Sequence, residues 1–212
     1  MRRFFFGSAI ILVGLLFSSI AFAVDDDHWT GPYFGIGAGD ASGRAKSDAV
    51  SMATDSAAFI LYAGYQKQFG RFVLGGESDF LPVQGLYGKT SIGCPASVCG
   101  GLPVQENYNV KTEWAVAVRI NAGYAFDRLL PYVTIGYDWG QAKVKVTVPA
   151  FGVGDSETHG QQGIVFGGGL KYAVSDHWLA GVEYIRAENH VSGISGGYAP
   201  TNLFLGVLHY RF

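Results

Sequence analysis

The chain has 212 residues with 15 basic and 17 acidic side chains, a formal charge of −2, and so carries no basic footprint for nucleic acid. Glycine supplies 31 of those residues, about twice its usual ~7% share, and Phe, Tyr and Trp are abundant while Met and Cys are scarce. That mixture points to an all-β protein. Beyond the first two dozen positions no apolar run approaches the ~18 residues of a membrane helix, so any membrane crossing has to be made by strands.

In chain order the first element is an export signal. Arg2 and Arg3 give a positive start, Phe4 to Phe22 form an uncharged apolar stretch, and Ala21-Phe22-Ala23 is followed abruptly by Val24-Asp25-Asp26-Asp27. An uncleaved membrane helix is the competing reading of the apolar run. The small-x-small site and the acidic flank favour a signal peptide over residues 1–23 and a single domain over 24–212.

Eight strand-like segments follow: Tyr33–Ala41, Ala58–Phe69, Phe72–Leu81, Thr112–Phe126, Leu130–Val144, Gly163–Val174, Trp178–Ala187 and Asn202–Phe212. Each reaches or exceeds the ~9–11 residues that a tilted strand needs to cross a bilayer. The connections alternate. Long stretches rich in Gly, Ser, Thr and Pro (Ser42–Ala57, Pro82–Lys111, Lys145–Gln162, Glu188–Thr201) follow the first, third, fifth and seventh segments. Short turns at Gly70-Arg71, Asp127-Arg128 and Ser175-Asp176-His177 follow the others. Strict long-short alternation is the pattern of outer-membrane barrels, with short periplasmic turns and longer external loops. The expected fold is therefore an eight-stranded antiparallel up-and-down transmembrane β-barrel with both termini on the periplasmic side.

Period two sorts the faces. In the last segment Phe204, Gly206, Leu208, Tyr210 and Phe212 oppose Leu203, Leu205, Val207, His209 and Arg211. Trp114, Val116, Val118, Ile120, Ala122, Tyr124 and Phe126 oppose a set containing Arg119 and Asn121, and Val133, Ile135, Tyr137 and Trp139 oppose Tyr132, Thr134, Gly136 and Asp138. The aromatic faces belong toward lipid, because a lipid-facing strand tolerates no uncompensated charge at mid-depth. Aromatics at segment ends predict a periplasmic girdle of Phe69, Phe72, Phe126, Tyr132, Tyr172, Trp178, Tyr210 and Phe212, and an outer one of Phe80, Trp114, Trp139 and Tyr184.

Glu77, Asp79, Arg119, Asp138, Lys171, Glu183 and Arg211 then point into the lumen. An eight-stranded barrel is just wide enough for side chains to fill, and a buried unpaired charge is very costly. A salt-bridged plug is the expected outcome, with a polar pore or gate as the alternative. Inward glycines such as Gly35, Gly37, Gly167 and Gly169 would relieve crowding.

Cys94 and Cys99, an even pair in an exported chain, read as a small disulfide staple on the second external loop, since a zinc site needs about four ligands and no further Cys or His lies near. Two loop groups contain the residue types of hydrolytic catalysis, His159 with Ser156 and Glu157, and His190 with Ser192, but no motif fixes their geometry. His28 beside Asp25–Asp27 reads as a solvated tail rather than a metal site. No enzyme activity, cofactor or metal is expected.

Several stretches carry a resemblance: Trp29-Thr30-Gly31-Pro32-Tyr33, Gln68-Phe69-Gly70-Arg71-Phe72, Gly123 to Tyr132, Val174 to Trp178 and Val182-Glu183-Tyr184. On these the chain resembles the small eight-stranded outer-membrane barrels of alphaproteobacteria, relatives of the OmpA transmembrane domain often grouped as "porin family" proteins and surface antigens. The resemblance implies that Phe204, Leu208, Tyr210 and Phe212 form the C-terminal signal read by the barrel-assembly machinery. It also implies a Gram-negative outer membrane, with lipid and lipopolysaccharide as surroundings. The cysteine pair is not part of the family pattern. No peptidoglycan-binding domain is expected after Phe212. The expected role is structural and surface-exposed, with a narrow pore for ions or small solutes, or loop-mediated binding through the 82–111 loop, as alternatives; the oligomeric state is left open.

Overall fold

A computed structural model describes residues 28–48, 51–82, 85–94, 104–148 and 153–212. The export signal lies outside these, as does Cys99, and the side chain of Cys94 is likewise not described, so the proposed disulfide falls outside the described residues. The strands are β1 (Gly31–Lys46), β2 (Ser51–Phe69), β3 (Phe72–Leu81), β4 (Gly85–Cys94), β5 (Val104–Tyr124), β6 (Leu129–Val148), β7 (Val153–Ala173), β8 (Trp178–Val191) and β9 (Tyr198–Arg211). Strands consecutive in the chain pair antiparallel except β3 and β4, β9 pairs β1, and β3 pairs β5, which closes the ring. β3 and β4 lie one after the other along β5, β3 against Ala115–Tyr124 and β4 against Val104–Thr112. They make one interrupted stave, so the barrel has eight.

The turns at the periplasmic end are tight for local reasons. Gly70 takes φ 61° between β2 and β3, a conformation glycine adopts without a Cβ penalty. Asp127 takes φ 56° between β5 and β6, where a short polar side chain tolerates the left-handed region. Around that end Phe72 packs edge-on to Tyr124, Trp178 to Tyr210, and Phe34 to Phe212, so the aromatic girdle is continuous across the β9–β1 seam.

Two expectations are corrected. The four long connections are mostly strand. β1 runs to Lys46 and β2 starts at Ser51, β4 and the start of β5 occupy much of 82–111, β6 and β7 extend to Val148 and from Val153, and β8 and β9 reach Val191 and Tyr198. Their Gly, Ser, Thr and Lys content reads as loop because these hairpins stand in water, where the outward face has no reason to be apolar. β6 is about 66 Å long at ~3.3 Å per residue. At a tilt of ~40° it rises roughly 50 Å, about twice the ~25 Å apolar band of such barrels. The second correction is Tyr132, which is buried rather than part of the girdle. It has the parity of Thr134 and Asp138 while Val133 and Ile135 face out, so its ring enters the lumen. The other eleven girdle aromatics are all exposed on the outer face.

Candidate functional site

The lumen is built in three layers. At the periplasmic end Trp29, fully buried, packs with Val73, Ala125, Leu130, Ala173 and Leu179, and its indole Nε1 donates to the Asp127 carbonyl at 3.1 Å. Residues just before β1 thus fold under the barrel and close its lower end. Nearby, Phe212 N donates to the Pro32 carbonyl at 3.1 Å, and Arg211 Nε donates to the Asp176 carbonyl at 3.2 Å.

The middle layer is ionic. Arg119, directly opposite Glu77 in the β3–β5 ladder, contacts three carboxylates: Glu77 at 2.5 Å, Asp79 at 2.8 Å and Glu183 at 2.9 Å. Lys171 Nζ lies 3.7 Å from Glu77. Three tyrosines supply the remaining donors: Tyr33 to Glu77 at 2.7 Å, Tyr62 to Glu183 at 3.0 Å and Tyr132 to Glu183 at 2.9 Å. The rings serve twice, since the Lys171 ammonium also sits 5.1 Å from the Tyr33 ring centre and 4.6 Å from that of Tyr132. His209 is wedged edge-on between Tyr33 and Tyr62, 5.2 Å from each. Space for it comes from Gly35, where a Cβ would fall 1.9 Å from the imidazole Cδ2. The Arg119 side chain is 0% exposed and those of Glu77, Glu183 and Lys171 at most 2%. Charges so far from water are tolerated only with this density of partners.

Above this plug the lumen changes character. Ala41, Ala58, Ile60, Val165, Ile185, Ala187, Leu203 and Leu205 form an apolar cluster. It surrounds a small chamber of about 70 Å³ that Asp138 and Asn189 also line, with Asn189 Nδ2 donating to Asp138 Oδ2 at 2.9 Å. Higher still lies a mostly apolar chamber of about 190 Å³ among the water-standing hairpins.

Of the seven lumen charges expected from sequence, all are buried, but only five meet. Glu77, Asp79, Arg119, Lys171 and Glu183 form the plug, whereas Asp138 sits above it and Arg211 ties down the β7–β8 turn below. Phe204, Leu208 and Tyr210 on β9, and Phe212 just after it, face outward. His159 contacts the Ser192 carbonyl at 3.1 Å and Glu157 at 3.5 Å, His190 lies against the Tyr198 ring, and His28 lies 3.5 Å from Asp127. Sequence reasoning missed Trp29 as the lower seal and Tyr33, Tyr62 and Tyr132 as donors. For the tyrosines the signal was present, since each shares parity with inward glycines or polar residues.

Comparison with known proteins agrees with this architecture. The family model for the outer membrane protein beta-barrel domain matches residues 9–212. The 31 kDa outer-membrane immunogenic protein of Brucella melitensis is 34% identical over 188 residues, covering 78% of this chain and 73% of the relative. Among solved structures, OprG of Pseudomonas aeruginosa is 12% identical with a TM-score of 0.49, covering 87% of this chain and 97% of its own. Ail, the attachment invasion locus protein of Yersinia pestis, is 16% identical with a TM-score of 0.45, covering 86% and 99%.

Proposed function

The chain belongs to the outer membrane protein beta-barrel domain family and is an outer-membrane β-barrel protein, and from that premise we propose a non-enzymatic role as a closed, structural barrel that presents tall hairpins at the cell surface. The observation that carries this reading is the plug. Arg119 with its three carboxylates, Lys171 and three tyrosines spans the lumen in one solvent-free layer, and Trp29 closes the end below it. A conducting pathway would need a continuous hydrated passage at this level. Catalysis would need a nucleophile and base in mutual reach, whereas His159 meets the backbone carbonyl of Ser192 rather than its hydroxyl. In this reading the partners are outer-membrane lipid, lipopolysaccharide and the barrel-assembly machinery, the last engaging the Phe204–Phe212 face.

Planar-bilayer recording on the refolded protein tests the closed lumen. No reproducible conductance steps are expected, and discrete steps that vanish on heat denaturation would replace the structural reading with the narrow pore.

A further inference from the structure

The outward face of the water-standing hairpins changes charge around the ring. Above the outer aromatics Trp114 and Trp139, β5 and β6 bring Lys111 directly opposite Lys143, with Lys145 two positions higher. Their strand neighbours Val110, Thr112, Ala142 and Val144 line the upper chamber, so alternation turns the three lysines to the outside. Like charges directly opposite in a sheet repel. Among the described residues none of the three lysines makes an ion pair, with Glu113 at the bulge below or with any other carboxylate.

β7 completes the patch. Its register sets Thr158 beside Lys143 and Ser156 beside Lys145, both exposed, which adds two hydroxyl donors. The intervening acids fall at the inward register, opposite Val144 and Val146, where Glu157 meets His159 and Asp155 accepts from the Ser156 amide. A field of ammonium and hydroxyl donors thus stands on a chain whose formal charge is −2. The opposite wall shows mixed charge instead, since Arg44 and Lys46 on β1 share the outward face with Asp40 and with Asp55 of β2.

Height selects the anion. Four strand residues at ~3.3 Å each, tilted by ~40°, lift Lys143 roughly 10 Å above Trp139, and Lys145 stands higher. A phospholipid headgroup layer is only about 5–8 Å deep on each side of a bilayer. A lipid that carries its phosphates on sugar reaches the lysines, and ammonium groups hold phosphate oxygens by charge-assisted hydrogen bonds.

We propose that the outward wall formed by Lys111, Lys143, Lys145, Ser156 and Thr158 docks the phosphorylated saccharide headgroup of lipopolysaccharide. Its acyl chains lie against the apolar face below Trp114 and Trp139. Its phosphate bridges Lys111 and Lys143 and removes their repulsion. The site rests on the surface-barrel reading and gives one wall of that barrel a specific lipid neighbour.

Native mass spectrometry of the refolded protein in neutral detergent micelles tests this, counting bound lipid as lipopolysaccharide, dephosphorylated lipopolysaccharide or phosphatidylglycerol is titrated in. One tightly held lipopolysaccharide is expected, with the other two lipids weaker by about tenfold or more. Lys111→Gln with Lys143→Gln should weaken lipopolysaccharide by about tenfold or more. Arg44→Gln with Lys46→Gln, an equal loss of charge on the opposite wall, should change its affinity by less than about twofold. The proposal is overturned if dephosphorylated lipopolysaccharide or phosphatidylglycerol binds as tightly, if the Lys111→Gln, Lys143→Gln variant binds as wild type does, or if the β1 variant loses as much. Should the double variant lack the heat-modifiable shift of a folded barrel, Lys143→Gln alone takes its place. Conductance is read separately, so failure here leaves the closed lumen standing, and discrete conductance steps would leave the lipid site standing.

Discussion

Arg119 is the side chain whose loss the structure penalises most specifically. Arg119→Met keeps bulk and apolar packing but leaves Glu77, Asp79 and Glu183, previously 2.5, 2.8 and 2.9 Å from the guanidinium, with Lys171 as the one remaining cation of the plug. Breaking a single buried ion pair costs about 3–5 kcal/mol, because the surviving charge is left uncompensated. Three pairs sharing one guanidinium are not additive, so that figure is a floor rather than a third of the total. With a urea slope of ~2 kcal/mol/M the midpoint falls by roughly 2 M. Urea unfolding in lipid vesicles, followed by tryptophan fluorescence and by the heat-modifiable gel shift, measures it. The mechanism makes a second demand. Adding Asp79→Asn and Glu183→Gln to Arg119→Met leaves Glu77 against Lys171 as a balanced pair, and most of the lost stability should return. A single variant within 1 kcal/mol of wild type, or a triple variant less stable than the single, would refute the charge argument.

Three other perturbations separate packing from electrostatics. Gly35→Ala pushes a methyl into the His209 ring and should cost ~1–3 kcal/mol as overpacking, with His209→Ala restoring stability in the double variant when both are read by urea midpoint. Trp29→Ala opens the lower seal and should cost ~3–5 kcal/mol by the same measurement. Ile135→Arg, on the lipid face near mid-band, should cost ~2–4 kcal/mol, while Gln141→Arg, one turn of the pleat beyond Trp139 in the same strand, should fall within ~0.5 kcal/mol of wild type. Equal penalties at the two sites would mean that the apolar band extends past Trp139.

Sequence periodicity resolves this molecule unevenly, and the reasons are physical. Val133, Ile135, Tyr137 and Trp139 are all large and apolar, so the outward face of β6 is legible from alternation alone. The composition of the plug is not. Glu77 and Arg119 meet because β3 and β5 are in a particular register, and Glu183 and Lys171 reach them from β8 and β7 across the lumen. No local pattern encodes either fact. A bulge hides another part of the site. The β5–β6 register shifts between Thr112 and Trp114, so Thr112 is buried in the lumen while Trp114 faces out, although both have even numbers. Unbroken alternation would have sent Thr112 and Val110 to the outside and removed them from the chamber they line.

The long hairpins and the upper chamber have one cause, an inversion of polarity along each stave. Below the outer aromatic ring, β6 turns Val133, Ile135 and Tyr137 outward and keeps Thr134 and Asp138 inside. Above it, Gln141, Lys143 and Lys145 face out, and Ala142 and Val144 face in. β1 makes the same change, from outward Phe34 and Ile36 to outward Ser42, Arg44 and Lys46 over inward Ala41 and Ala45. Within lipid the apolar side must be outside; in water the same strand holds together only by turning its apolar residues inward, as a soluble barrel does. A pattern search tuned to apolar-out strands stops at the ring and records loops beyond it. The apolar cavity is therefore a consequence of extending the strands past the membrane, and its depth is set by where the inward residues change back to charge, at Asp138 and the Arg119 cluster.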